Sequence, residues 1–252
     1  LSQSYTGGAM VIEASSSVTV TGCEFKENRA RDTNNNYGDG GVVYITTSTD
    51  VLFEHTDFIG NRAYDYGGVV RIAQNAHPVF NNCEFRGNSA NDGGGAIYLY
   101  GLNPGDCSVE LNDCRLYSNS SSVGGGIYSN CNPIKIRGTV FSGNSASSEG
   151  GAISLSNGGS RLDMENSILQ GNTSSSHGSA VRTSYSSSIR VVRCTIVGNK
   201  STSTSTSYYS FYSSSAGSYH VNSSIIWGNS PRDTECTAGI SYSILGWGCT
   251  SA

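Results

Sequence analysis

The chain has 252 residues, 36% hydrophobic and 13% charged, with 32 Gly, 4 Pro and a formal net charge of -4. This balance excludes a thick core of large side chains, and the lack of any Lys/Arg cluster excludes the basic stripe that a nucleic-acid backbone requires. No run of about 18 apolar residues occurs, so no segment reads as a membrane span.

In chain order, the opening Leu1 to Ile12 lacks a basic head and a long apolar stretch, and reads as part of a repeat in a mature or trimmed segment. Its Gly7-Gly8-Ala9-Met10 is the first copy of a glycine pair followed by alternating apolar residues. Next comes a strictly alternating element, Val18/Val20, and then the phrase Cys23-Glu24-Phe25-Lys26-Glu27-Asn28. All three then recur. The glycine phrase returns at Gly40-Gly41, Gly67-Gly68, Gly94-Gly95, Gly125-Gly126 and Gly150-Gly151, and weakly at Gly178-Ser179. The alternating element returns at Val51/Phe53, Val109/Leu111, Ile134/Ile136, Leu162/Met164 and Ile189/Val191. The third phrase ends at Asn61, Asn88, Asn119, Asn144, Asn172, Asn199 and Asn229, with a degenerate copy at Ser243-Ile244-Leu245.

The period is between about 25 and 33 residues, in the window of solenoids. Period-2 alternation broken by turn residues predicts short strands and no amphipathic helix. Such strands bury a face only by stacking coil on coil, in parallel, about 4.8 Å apart. The prediction is an all-β, single-stranded parallel β-helix of about nine coils and three short sheets, forming one domain over residues 1–252. A Ser-rich insertion is expected at about 200–218 and a C-terminal capping coil at 236–252. Inward ladders should run Phe25, Phe58, Phe85, Leu116, Phe141 and onward, and Met10, Val43, Val70, Ile97 and onward. The repeated Asn carries donors and an acceptor on one amide, so stacked copies can bond one another and the turns.

The Phe-x-x-Asn and Gly-Gly-Ala-Ile phrases resemble the repeats of chlamydial polymorphic outer-membrane proteins. The ending Ile225-Ile226-Trp227-Gly228-Asn229-Ser230, with Ile240-Ser241-Tyr242-Ser243-Ile244, is similar to the last coils of secreted bacterial β-helix repeat proteins. The resemblance implies a pectate-lyase-like right-handed β-helix and export. Because these groups are functionally mixed, it bears on fold more than on activity.

Eight cysteines in a Ser/Thr/Gly-rich chain favour an oxidising compartment. Cys107 and Cys131 precede corresponding strands of adjacent coils and are expected to form a disulfide, as are Cys236 and Cys249, which bracket the last coil. Cys83 and Cys114 fall in consecutive coils, either as a disulfide or as two stacked thiols, while Cys23 and Cys194 read as buried free thiols. The four histidines are scattered over different repeats, and no spacing suits a metal.

Two outward columns are candidate sites. Glu24, Asp57 and Glu84 form an acidic column next to Arg115, read either as a solvated face or as the carboxylates of a polysaccharide-acting enzyme. Tyr44, Arg71, Tyr98 and Tyr128 form an aromatic and guanidinium column suited to stacking on sugar rings or meeting a partner protein. Towards the C-terminus the outward positions turn apolar, at Val140, Ile168, Val197, Ile225, Trp227, Ile244 and Trp247, under either the Ser-rich insertion or another subunit. Of four glycosylation sequons, those at Asn119, Asn172 and Asn199 coincide with the inward Asn, leaving Asn222.

These features favour a non-catalytic extracellular or cell-surface β-helix acting in adhesion, surface display or as a filament-forming subunit. Its partners would be other protein subunits or cell-surface glycans, with no cofactor. The alternative is a polysaccharide lyase, hydrolase or epimerase, or a carbohydrate-binding module.

Overall fold

A computed structural model describes residues 3–4, 7–13, 17–31, 37–47, 50–103, 105–131, 133–156, 160–184, 187–203, 205, 208–213, 218–233, 240–241 and 243–245. Among these residues the regular elements are all strands, and every paired strand runs parallel to its neighbour in the next coil. The chain is a parallel β-helix of four sheets, not three, with eight, eight, nine and nine strands. The first sheet runs from Gln3–Ser4 to Lys200–Ser201 and the second from Met10–Ile12 to Phe211–Ser213. The third runs from Val18–Thr21 to Ile240–Ser241 and the fourth from Glu24–Lys26 to Ile244–Leu245. The coil count also shifts slightly from the expected nine: eight described coils enter all four sheets, and a ninth enters only the third and fourth.

The additional sheet is the first one, built of strands as short as the pair Arg62–Ala63. Its inward positions are small, with Ala30, Ala63, Ala90 and Ala146 all buried. A wall this tight admits little more than a methyl group. The large side chains lie on the other three sheets, where the register stacks Phe25 on Phe58, Phe85, Leu116 and Phe141. Met10 stacks in turn on Val43, Val70 and Ile97. Phe53 and Phe80 form a parallel stack with centroids 4.9 Å apart, meeting the Phe58 and Phe85 rings edge-on. The core is thus one apolar column along the axis.

The repeated Asn closes the corner between the fourth and first sheets. Each Asn Oδ1 accepts from the backbone N–H and the side-chain amide of the Asn one coil before, from Asn28 through to Asn229. The ladder ends where Asp233 Oδ1 takes the place of the next Asn, accepting from Asn229 N–H at 2.8 Å and Nδ2 at 2.7 Å. The glycine pair divides its labour. Gly67 holds a φ of +66°, and a Cβ on Gly68 would strike the carbonyl oxygen of Gly95 in the next coil. Ser179 breaks that pairing and is buried, its hydroxyl 2.7 Å from Ser210.

Within the Ser-rich stretch, Lys200–Ser201 and Phe211–Ser213 are strands of the first and second sheets, and Phe211 continues the ladder above Val181. Ile240–Ser241 and Ile244–Leu245 continue the third and fourth sheets. Most of the expected capping coil, including Cys236, Trp247 and Cys249, lies outside the described residues.

Candidate functional site

On the second sheet, strand alternation turns Tyr44, Arg71, Tyr98 and Tyr128 outward and the register stacks them one rung apart. They do not form a row of free platforms. The Arg71 guanidinium lies over Tyr44, Tyr98 and Tyr100 at 5.5, 5.7 and 5.5 Å from the ring centroids, and it forms an ion pair with Asp39. Tyr98 stacks on Tyr66 at 4.4 Å and on Tyr128 at 5.4 Å, which leaves it only 6% exposed. Burial lowers the Arg71 pKa and raises that of Tyr98, because each charged form loses water. The column is therefore a packed outer layer. Asp39, Tyr66 and Tyr100 belong to it and escaped the sequence reading; the only signal was their place beside the glycine pairs and strand ends.

Further along the same column Arg182 pairs with Glu149 at 2.9 Å, and His177 stacks on Tyr212 with ring centroids 3.7 Å apart. Tyr208 meets His177 edge-on at 4.6 Å, and Arg232 lies over Tyr209. Burial lowers the His177 pKa, Glu149 opposes that and Arg182 adds to it. The tyrosines of the Ser-rich stretch thus gather at the second sheet and not over the apolar positions of the fourth.

The fourth sheet carries the acidic column. Glu24, Asp57 and Glu84 stack in register and lead to Arg115. A hollow of about 210 Å³ opens there, lined by Asp57, Asn82, Cys83, Glu84, Asp113 and Arg115, with Glu84 3.2 Å from Arg86. Beyond Arg115 the same column continues as Val140, Ile168, Thr195, Ile225 and Ile244. Ile168, Ile225 and Ile244 are 38%, 40% and 58% exposed, and Trp227 beside them is 56% exposed. One sheet face therefore passes from carboxylates to hydrocarbon along the axis.

Cys107 and Cys131 form a disulfide with Cα atoms 5.6 Å apart. Cys83, Cys114 and Cys194 are buried free thiols, and Cys23 is exposed, contrary to expectation; among the described residues its strand neighbourhood pairs with the next coil alone. Burial raises the Cys194 thiol. Asn119, Asn172 and Asn199 are fully buried, whereas Asn222 is half-buried with its Oδ1 accepting from the Ser223 hydroxyl at 2.7 Å. His77 contacts Ser108 at 2.9 Å and His220 stands in register with Arg190 on the third sheet, so these histidines lie apart. Among the described residues no group of three His, Cys, Asp or Glu side chains is placed to hold a metal.

The family model described as the right handed beta helix region matches residues 2–141, more than half of the chain. The chain belongs to the right-handed β-helix family. A second model, the Chlamydia polymorphic membrane protein repeat, matches residues 138–156 of this β-helix. That segment holds the Thr139 to Asn144 phrase and the Gly150-Gly151-Ala152-Ile153 phrase together. No curated protein and no solved structure matches the chain at a significant level.

Proposed function

We propose that this β-helix is a surface-displayed, non-catalytic repeat domain that presents its outer walls to protein partners. The observation that carries the reading is the match of residues 138–156 to a membrane-protein repeat whose two phrases recur along the chain. The exposed Ile168, Ile225, Trp227 and Ile244 support it, since apolar surface gathered on one face is how docking surfaces present themselves. Adhesion and head-to-tail or lateral assembly into filaments are the finer forms of this role. Immunogold labelling of intact source cells tests it: surface label is the expected result, and label only after permeabilisation overturns it.

The hollow beside Asp57 and Glu84 favours one second reading, a site acting on or binding a polysaccharide. A screen against acidic and neutral glycans decides it. Turnover or binding that Asp57→Asn and Glu84→Gln abolish would replace the non-catalytic reading.

A further inference from the structure

A second hollow, of about 230 Å³, opens on the outer side of the first sheet and is lined by Arg29, Ala30, Arg31, Arg62 and Tyr64. Its construction follows from register. Arg29 pairs directly with Arg62, and Ala30 with Ala63, so alternation turns both alanines into the core and both guanidiniums out on consecutive rungs. The Tyr64 N–H donates to the Ala30 carbonyl at 3.0 Å, which continues the register and sets the Arg31 and Tyr64 positions side by side one step further along. The patch thus has four corners: two stacked arginines, then a third arginine beside a tyrosine.

Like charges directly opposite each other in a sheet are unfavourable unless something neutralises them. Elsewhere on this helix, arginines on the outer wall meet carboxylates: Arg71 meets Asp39, Arg137 meets Glu110, Arg182 meets Glu149 and Arg193 meets Glu165. Among the described residues, Arg29 and Arg62 have no carboxylate within ion-pair reach, and the Arg62 Nη2 is held by Asn91 Oδ1 at 3.1 Å. That bond orients one guanidinium without neutralising it.

We propose that Arg29 and Arg62, at the hollow that Arg31 and Tyr64 also line, form a binding site for a sulfate or phosphate group, free or carried as a monoester. Each guanidinium presents a planar fork of N–H donors, and a carboxylate, whose acceptor sites all lie in one plane, meets one fork squarely but not two stacked about 4.8 Å apart. A tetrahedral oxyanion has the additional oxygens to engage both forks at once, and a Tyr hydroxyl supplies one further donor. The site lies on a different sheet from the acidic hollow and does not rest on the surface-display reading.

Calorimetric titration of the full chain at low salt tests the proposal, with inorganic sulfate, inorganic phosphate, a monosulfated disaccharide and galacturonate as probes. Sulfate and phosphate should bind one per chain. Binding should weaken about tenfold in Arg62→Ala and be lost in the Arg29→Ala, Arg62→Ala double variant. Arg62→Lys, which keeps the charge and loses the fork, should also weaken it. Tighter binding of the sulfated disaccharide than of free sulfate assigns the group to a glycan, and equal binding assigns it to the free ion; both support the site. No binding to the wild-type chain, equal binding by galacturonate, or binding unchanged in the double variant would overturn it. Circular dichroism confirms the fold of each variant, which alters exposed side chains only at Arg29 and Arg62.

Discussion

The side-chain carbonyl of Asn144 accepts two hydrogen bonds from Asn119, one from its backbone N–H at 3.1 Å and one from its amide at 2.9 Å. Asn119 Oδ1 repeats the arrangement with Asn88, and Asn119 Nδ2 also donates to the Phe85 carbonyl. Asn119→Ala therefore strands two buried donors on Asn88 and a carbonyl on Phe85. Leaving buried polar groups unpaired costs about 3 kcal/mol here. Urea denaturation should show that loss, and an unchanged midpoint would mean the ladder adds nothing to stability.

Phe58 stacks on Phe25 and Phe85 at 5.5 and 4.8 Å and meets Phe53 and Phe80 edge-on. Phe58→Ala should cost about 4 kcal/mol, from lost burial and the cavity left behind. Phe25→Ala should cost clearly less, because Phe25 in the first coil is only half-buried. Equal losses in the two variants would contradict the stacking order.

The Cys107–Cys131 disulfide spans a sequence separation of 24. Closing a loop of that size in the unfolded chain is worth about 3 kcal/mol. Replacing both cysteines with Ser should lower stability by that amount under oxidising conditions. Under reducing conditions the variant and wild type should converge.

His177 supplies a pH dependence. Its folded pKa lies below the ordinary value of about 6.5, mainly because burial disfavours the charged ring. The unfolded chain therefore binds this proton first, and the stability His177 contributes is present above the ordinary value and lost as pH falls through the folded value. The melting temperature should fall between about pH 7 and pH 5, and the fall should be smaller in His177→Phe, which keeps a ring against Tyr212. Parallel pH curves for the two proteins would remove His177 as the cause.

Three of the four sheets were legible because each has a large inward residue at a constant place, such as Phe58, Val43 or Phe53. The first sheet was not, since its inward positions are Ala30, Ala63, Ala90 and Ser121, which in a sequence look like part of a polar gap. An Ala or Ser two places after each Asn from Asn28 to Asn199 was the available signal. The inward Asn ladder and the Cys107–Cys131 proximity were readable from spacing alone. The partners of Arg71 were not, because Asp39, 32 residues away, and Tyr66, its counterpart one coil on, stand just before their glycine pairs and not on the strand positions that alternation marks as outward. Cys23 was misjudged because its place in the small-residue ladder was read as burial, and it is exposed where Cys83, Cys114 and Cys194 are buried.

Every site described here depends on one relationship: residues one repeat apart stand one rung apart. Ser120 and Ser145 are exposed register partners on the first sheet, and Thr173 stands one rung beyond Ser145. With Cys23 changed to Ser, paired cysteines at 120 and 145 are about 4.8 Å apart, within reach of a disulfide, whereas cysteines at 120 and 173 are about twice that. Mass spectrometry after mild oxidation should find the intramolecular 120–145 crosslink and no 120–173 crosslink. A 120–173 crosslink, or none from either pair, would contradict the β-helix register on which the account stands.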